Sequence, residues 1–385
     1  MFTDRTNWNL APNRLSEALA RHRAAGKPLI DLTASNPTEC GFTYDRTKIL
    51  NALASPQSLS YDPEPKGLLA ARQAVVGYYA ERGDRVAASD VLLTTSTSEA
   101  YSFVFRILCN PSDEVLVPTP SYPLFDLLAD IQDVRLIRYP LIYDNGWQIN
   151  FFALEALLTT RTRAIVVVHP NNPTGHFTKH DERLRLNQIC ADRQIPVMAD
   201  EVFLDFSLSA KPPISWAANA ETLTFTMSGL SKMCGLPQMK VAWLAVSGPK
   251  DQKAQALDRL EVIADTYLSM NAPVQHAISK FLELRHEFQQ QLMSRVRGNL
   301  AELNRQLATR KACSRLEIEG GWYGVLRVPA TRTDEEVALD LLEKKGVYAY
   351  PGHFYDVPTD GYLIVSLIAP EQEFAEGIKR LVSTF

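Results

Sequence analysis

No Cys-x-x-Cys pair occurs in this chain, and its five cysteines, at 40, 109, 190, 234 and 313, are scattered. That spacing offers no disulfide framework and suits a reducing cytosol. No cluster of His, Cys, Asp and Glu has zinc-ligand spacing, so no metal is expected. No apolar run approaches the roughly 18 residues that a bilayer-spanning helix needs. The opening MFTDRTNWNL is polar and carries Asp4 and Arg5, unlike a secretory signal. A formal net charge of −4 gives no electrostatic reason to expect nucleic acid or an anionic membrane as partner. The GxGxxG and Walker phosphate loops are missing, as is the GxSxG elbow of the hydrolases. Neither a repeat nor a low-complexity tract is found. The chain is therefore read as a soluble cytoplasmic protein.

What remains is ordinary globular composition, 46% hydrophobic and 22% charged, over 385 residues. Such a length suggests two or three domain-sized units with a core that needs no staple. The middle of the chain carries DVLLTT, DEVLVPT, VRLIRYP, RAIVVVHP, IPVMAD, TLTFTMS and VAWLAVSG, all near-continuous apolar runs. Runs of this kind read as strands buried on both faces, mostly parallel. Helical patterns at 98–108 and 181–194 lie between them, which argues for an open doubly wound sheet. Residues 251–308 read as long amphipathic helices. A strand–helix–strand–strand pattern follows, from GWYGVLRVP to YLIVSL. The expected division is an arm at 1–45 that also contributes to a smaller unit, a large domain at 46–285, and a smaller α+β domain at 286–385. The arm holds an amphipathic helix at 13–25 and the short strand PLIDLT.

In open α/β sheets, ligands bind beyond the carboxyl ends of the strands. Unusual residues follow several of these strands directly. Ser96 and Glu99 have the spacing of a capping box, and hydroxyls at a helix start also make an anion site. Asn171-Asn172-Pro173-Thr174-Gly175 punctuates a turn. Asp200 closes IPVMAD. Lys232 lies in SGLSKMCGLPQMK (228–240), among small and apolar residues where desolvation would lower its pKa and make a nucleophilic amine. Taken singly, each has a plain account as a cap, a turn or a surface lysine. Their recurrence at successive strand ends of one sheet is what suggests a site.

Together, LTASNPT (32–38), YDPEPKG (61–67), TTSTSEA (94–100), PTPSYPLF (118–125), HPNNPTG (169–175), MADEVF (198–203), SGLSK (228–232), GLPQMK (235–240), GGWYGVLRVP (320–329) and YPGHFY (350–355) resemble the class I/II aminotransferases. The resemblance runs from about residue 30 to the C-terminus. It implies fold type I, an α/β architecture in which the large domain holds a mostly parallel seven-stranded sheet beside a smaller α+β domain. It also implies pyridoxal 5′-phosphate as cofactor, an amino acid and a 2-oxo acid as substrates, and a homodimer with shared active sites. Lys232 looks like the Schiff-base lysine that also shuttles the proton. Asp200 would pair with the pyridine nitrogen, and Asn172 would bond the phenolic oxygen. Tyr122 would stack on the ring. Ser96, Thr97 and Ser98 would cradle the phosphate, with Ser231, Ser228 and Lys240 beside it and Tyr61 reaching in from the second subunit.

This chain departs from that pattern in places. Lys240 stands where relatives usually carry an arginine, so it would act as a point donor without the bidentate fork. Phe203 replaces a tyrosine that bonds the phenolic oxygen. Ser35 replaces a glycine, narrowing the pocket or adding a contact. Ile364, in YLIVSL, stands where relatives carry the arginine that grips the substrate carboxylate. Arg327 and Arg5 are candidate replacements, each with the plain alternative of a surface arginine. Trp322 and Tyr323 are read as partly lining the pocket. His169 and His353 are assigned to packing or outer hydrogen bonds. The expected reaction is ping-pong transamination. The loss of the arginine keeps a lyase, decarboxylase or synthase acting on a modified amino acid as the alternative. A non-catalytic cofactor-binding protein is the third reading, and the intact Lys232, Asp200 and Asn172 argue against it.

Overall fold

The computed structural model describes residues 2–210, 212–268, 270–309 and 312–385. Ser269, within the stretch expected to be helical, lies outside them. The first strand, β1 (Ile30–Asp31), belongs to the arm. β2 (Val91–Thr94), β3 (Glu114–Thr119), β4 (Arg135–Tyr143), β5 (Trp147–Ile149), β6 (Thr162–Val168), β7 (Val197–Asp200), β8 (Thr224–Gly229) and β9 (Ala242–Ser247) then form one eight-stranded sheet. Its order is β2-β9-β8-β7-β6-β3-β4-β5. The seven apolar runs are all strands. The eighth, β5, is a three-residue edge strand paired antiparallel to β4.

The apolar runs are strands because nothing else buries them on both sides. β7 and β8 are buried along their whole length, and β6 at all but Arg163. On one face the helix Thr97–Leu108 lays Ala100, Tyr101, Val104 and Phe105 against the sheet. On the other, Ala277, Ile278 and Phe281 of the helix Ala272–Leu307 pack with Trp243 and Leu230. That helix runs 36 residues, through the division expected at 285/286. Its buried positions recur at helical spacing, from Val274 to Leu303, which lets one element brace both sheets.

The second sheet is antiparallel, in the order β10-β11-β14-β13, from β10 (Ser314–Arg315), β11 (Tyr323–Arg327), β13 (Tyr350–Pro351) and β14 (Tyr362–Ser366). Between them β12 (Val347–Tyr348) pairs in parallel with β1. The arm thus returns to the C-terminal unit. Its helix Arg14–Ala24 buries Leu15 and Ala18 against Ala338 and Leu342 of the helix Asp334–Lys345. Among the described residues, no helix is long and apolar enough to cross a membrane.

Direction decides what meets at the sheet's edge. β3, β4, β6, β7 and β8 run the same way. β9 is antiparallel to β8, and β2 is antiparallel to β9, so β2 runs with the majority. The ends of β2, β3, β6, β7 and β8 and the start of β9 therefore share one edge. Ser96, Tyr122, Asn172, Asp200, Lys232 and Lys240 all lie just beyond it.

Gly229 shows how tightly this edge is built. It faces Ala242 across the β8–β9 ladder in extended backbone, and a Cβ there would fall 2.7 Å from the Val241 carbonyl oxygen. Gly77, inside the helix Leu69–Glu81, meets nothing within 4 Å. Gly229→Ala is expected to lower the unfolding free energy by about 2 kcal/mol through overpacking. Gly77→Ala should raise it by up to ~1 kcal/mol through helix propensity. Urea unfolding of the two variants separates them.

Candidate active site

Lys232 sits on the one-turn helix Leu230–Met233 that follows β8. Its Nζ lies 5.2 Å from the centre of the Trp322 ring and 5.7 Å from that of Phe203. Those two rings meet edge to face at 4.8 Å. An ammonium held against aromatic faces loses water and gains only part of that solvation back. Burial accordingly lowers the Lys232 pKa from its usual 10.5, and the charge of Asp200 is the opposing influence.

Asp200 ends β7, in register with Met227 of β8. Its Oδ1 accepts the Val202 N–H at 3.1 Å, and its Oδ2 accepts the Tyr101 hydroxyl at 3.2 Å. Burial nevertheless dominates and lifts the carboxyl from 3.8 to about 6, against those two hydrogen bonds and Lys232. The site therefore holds a base and an acid, each pushed by desolvation toward its neutral form.

Around this pair lie polar groups of two kinds. Some are committed to the protein. Ser96 caps its helix by accepting the Glu99 N–H at 3.1 Å. Glu99 answers to the Thr95 N–H at 2.7 Å, one residue ahead of the usual capping-box partner. In the NNPTG turn the Thr174 hydroxyl donates to Asn171 Oδ1 at 2.9 Å, and Gly175 adopts positive φ with no room for a Cβ beside the Gly320 carbonyl. The Ser228 hydroxyl turns to the Glu201 carbonyl at 3.4 Å. His169 accepts the Thr178 N–H through Nδ1, and burial pushes its pKa down to about 3, which keeps it neutral.

Others are buried without a partner, among them Asn172 Oδ1, Ser121 Oγ and Trp322 Nε1. Buried orphans of this kind ordinarily have a ligand or water to satisfy them. Thr97 and Ser98 open the helix after β2, and Ser231 precedes Lys232, all three part-buried. Lys240 is exposed, held at φ 52°, and makes no ion pair among the described residues. A part-buried amine against two rings, a facing carboxylate, an amide with an unpartnered oxygen and a hydroxyl-lined helix start with an exposed lysine beyond it fit a phosphorylated aromatic aldehyde.

Other expected residues stand apart. Tyr61 is 77% exposed, on the rim of a surface cavity of about 480 Å³ lined also by Gln57, Met270, Gln275 and His276. Arg327 is exposed at the far end of β11, its guanidinium 5.9 Å from the Tyr362 ring. Arg5 is paired with Asp133. His353 is exposed and packs edge-on to Phe354. Trp322 and Tyr323 are buried, with Tyr323 6.4 Å from Phe203. Tyr101 escaped the sequence reading, because a tyrosine on the apolar face of a helix reads as core.

The family profile "Aminotransferase class I and II" matches residues 27–381, and the chain belongs to that family. An alanine aminotransferase of Mycobacterium tuberculosis is 28% identical over 377 residues, covering 94% of this chain and 86% of its own. The glutamate-pyruvate aminotransferase AlaA of Escherichia coli is 27% identical over 354 residues, covering 89% and 87%. The solved alanine aminotransferase from Pyrococcus furiosus superposes with a TM-score of 0.91 at 22% identity, over 100% of this chain and 99% of that one. At that identity it speaks for the fold, which is the aspartate-aminotransferase-like fold type I. The protein is a pyridoxal 5′-phosphate-dependent transaminase acting between an amino acid and a 2-oxo acid.

The raised Asp200 pKa carries a sign that can be checked. The folded, cofactor-free chain keeps this proton between pH 4 and 6, where the unfolded chain has released it. The carboxyl therefore destabilises the fold increasingly as pH rises through that window. Cofactor-free Asp200→Asn is expected to be more stable than wild type at pH 7.5, by on the order of 3 kcal/mol for a shift from 3.8 to about 6. The advantage should vanish near pH 4 in urea unfolding. A difference independent of pH would contradict burial as the cause.

Proposed function

We propose that the transamination is carried by Lys232, with Asp200, Asn172 and Tyr122 around it, in a homodimer that shares its sites. The observation that supports this reading most is the Lys232 amine, held by Trp322 and Phe203 away from water with Asp200 as its opposing charge.

Pyridoxal 5′-phosphate, when bound, supplies an aldehyde for amines and a ring that withdraws electrons from the substrate α-carbon. The chain's own residues do the rest. Lys232, its pKa lowered by burial, gives up its proton more readily than a solvated lysine, so its Nζ can take the substrate's α-proton and hold it for return. Asp200 is kept in place by Tyr101 and the Val202 N–H, and its charge favours a protonated ring nitrogen opposite it. Asn172 offers its amide to the phenolic oxygen. Phe203, lacking a hydroxyl, offers none, so that oxygen's charge is less stabilised than in tyrosine-bearing relatives. Thr97, Ser98 and Ser231 would offer hydroxyls and helix N–H groups to the phosphate at the helix start that Ser96 caps, with Lys240 as counter-charge. Lys240 precedes β9, the one strand in this part of the sheet running the other way, and so reaches the edge where the Lys232 helix begins. Phe203 and Trp322 exclude water from the amine. The exposed Tyr61 would complete the site of a second copy. A short amino acid such as alanine is the natural first donor to try, given the relatives' names. The cytoplasm is the expected compartment.

Lys232→Ala should cut turnover at least ~10³-fold, the scale of a lost general base. Borohydride reduction of the holoenzyme should fix the cofactor covalently on the peptide containing residue 232, as mass spectrometry would show. Light scattering should give twice the chain mass. Turnover surviving in Lys232→Ala, or label on another lysine, would refute the assignment.

A further inference from the structure

The face of the small sheet that carries Ile364 holds a cation only at its far end, where Arg327 is exposed, and what surrounds Ile364 is informative. Ile364 is fully buried, paired with Val325 of β11 and Tyr350 of β13. Residues directly opposite on antiparallel strands share a face, and so do alternate residues along a strand. Tyr323, Val325, Ile364, Ser366 and Tyr350 therefore share one face, with Arg327 and Tyr362 at its far end. A side chain longer than isoleucine at 364 would project among tyrosines.

These tyrosines belong to the site. Tyr323 packs on Tyr355 at 6.2 Å and on Phe203 at 6.4 Å, and Phe203 is one of the two rings over Lys232. Tyr350 packs on Tyr355 at 6.0 Å. The Tyr323 hydroxyl interacts with the Trp322 and Ser35 side chains and lies near Tyr122 and Tyr350. The loop after β3 is tied to the same corner by the Ser121 N–H donating to the Tyr355 carbonyl at 2.9 Å, and the Ser121 hydroxyl is buried without a partner. Tyr122 is 44% exposed over the whole side chain, yet its hydroxyl end is enclosed enough beside Tyr350 for its pKa to rise. Burial raises Tyr323 to about 12, so its hydroxyl stays protonated and able to donate at neutral pH.

The neighbouring guanidiniums are occupied or distant. Arg138, next to this corner through Asp356, is held by Asp126 at 2.7 Å and Asp356 at 2.9 Å. Arg5 is paired with Asp133. Arg327 lies four residues along β11 from Tyr323, about 13 Å at the usual strand rise.

We propose that the substrate carboxylate is bound by neutral hydroxyl donors, Tyr323 with Tyr122 and Ser35, on the face where Ile364 stands, and not by a guanidinium. This rests on Lys232 being the reacting amine. It makes these residues specificity-determining. Neutral donors lack the charge-assisted pairing of an arginine fork, so the pocket should discriminate only weakly between a carboxylate and an uncharged isostere. The substrate class accordingly widens to amino acids whose carboxyl is amidated or otherwise neutral.

The test uses the holoenzyme. Every common L-amino acid is assayed as donor, and the best is compared with its α-carboxamide. The acid should be preferred in kcat/KM by less than ~100-fold, where a lost charge-assisted bidentate pair would impose ~10³ or more. Tyr323→Phe should raise KM for the acid ~10-fold at nearly constant kcat, and leave the amide within ~2-fold, as expected for one lost hydrogen bond. A second readout is independent of turnover. Calorimetric binding of 2-methylalanine, which has no α-proton to lose, should weaken ~10-fold in Tyr323→Phe. A preference above ~10³ combined with no effect of Tyr323→Phe on KM or on 2-methylalanine binding would overturn the proposal. So would a large KM increase confined to Arg327→Ala. A holoenzyme that accepts no donor, or that turns over without Lys232, would instead overturn the reading beneath it.

Discussion

A primary amine removed from water is the constraint around which this molecule is arranged. Lys232 stands against two aromatic rings at the end of a strand buried along its whole length, with one carboxylate to favour its charge. A charge in such a place is costly, and the cheapest response is to give up the proton. Burial outweighs Asp200 as the influence on the amine, and it also dominates at Asp200 itself. The same loss of solvent thus prepares a base and leaves an acid next to it poorly satisfied. A bound cation opposite Asp200 would relieve that strain, which is one physical reason the pocket should hold a protonated heterocycle well.

The sheet sets the order of these groups. Adjacent strands lie about 4.8 Å apart, and along the order β2-β9-β8-β7-β6 the edge carries hydroxyls, a lysine, the amine, the carboxylate and an amide in turn. The polarity of the site, from anion-binding end to acid, follows from strand order. Reversal of β9 is what brings Lys240 to the edge, and the absence of a Cβ at Gly229 lets β9 approach β8 there. The small sheet then supplies the aromatic wall, with Trp322 facing the amine and Tyr323 facing the corner beyond it.

Much of this was legible in the chain. Seven long apolar runs could be nothing but buried strands, and the residues ending them could be read as a site because sheets of this kind bind ligands at that edge. β5 was not legible, since three residues of alternating burial at a sheet's edge carry little pattern. Strand direction was hidden as well, for an apolar run looks the same read either way, and the position of Lys240 depended on it. Tyr101 looked like ordinary core. The tyrosine cluster was invisible because its members come from segments far apart in sequence, around 122, 323 and 350–355, and only the register of β11, β13 and β14 joins them to Ile364. That register also explains why the isoleucine matters, which sequence comparison could flag but not interpret.

The account stands or falls on the protonation of one nitrogen. In the cofactor-free protein, the rate at which residue 232 is acylated or reductively methylated can be followed against pH by mass spectrometry. The midpoint for Lys232 should fall below the ordinary lysine value of 10.5, with the surface lysines of the same chain as internal reference. A Lys232 that titrates together with those surface lysines would mean the amine keeps its water, and the arrangement described around it would not be an active site.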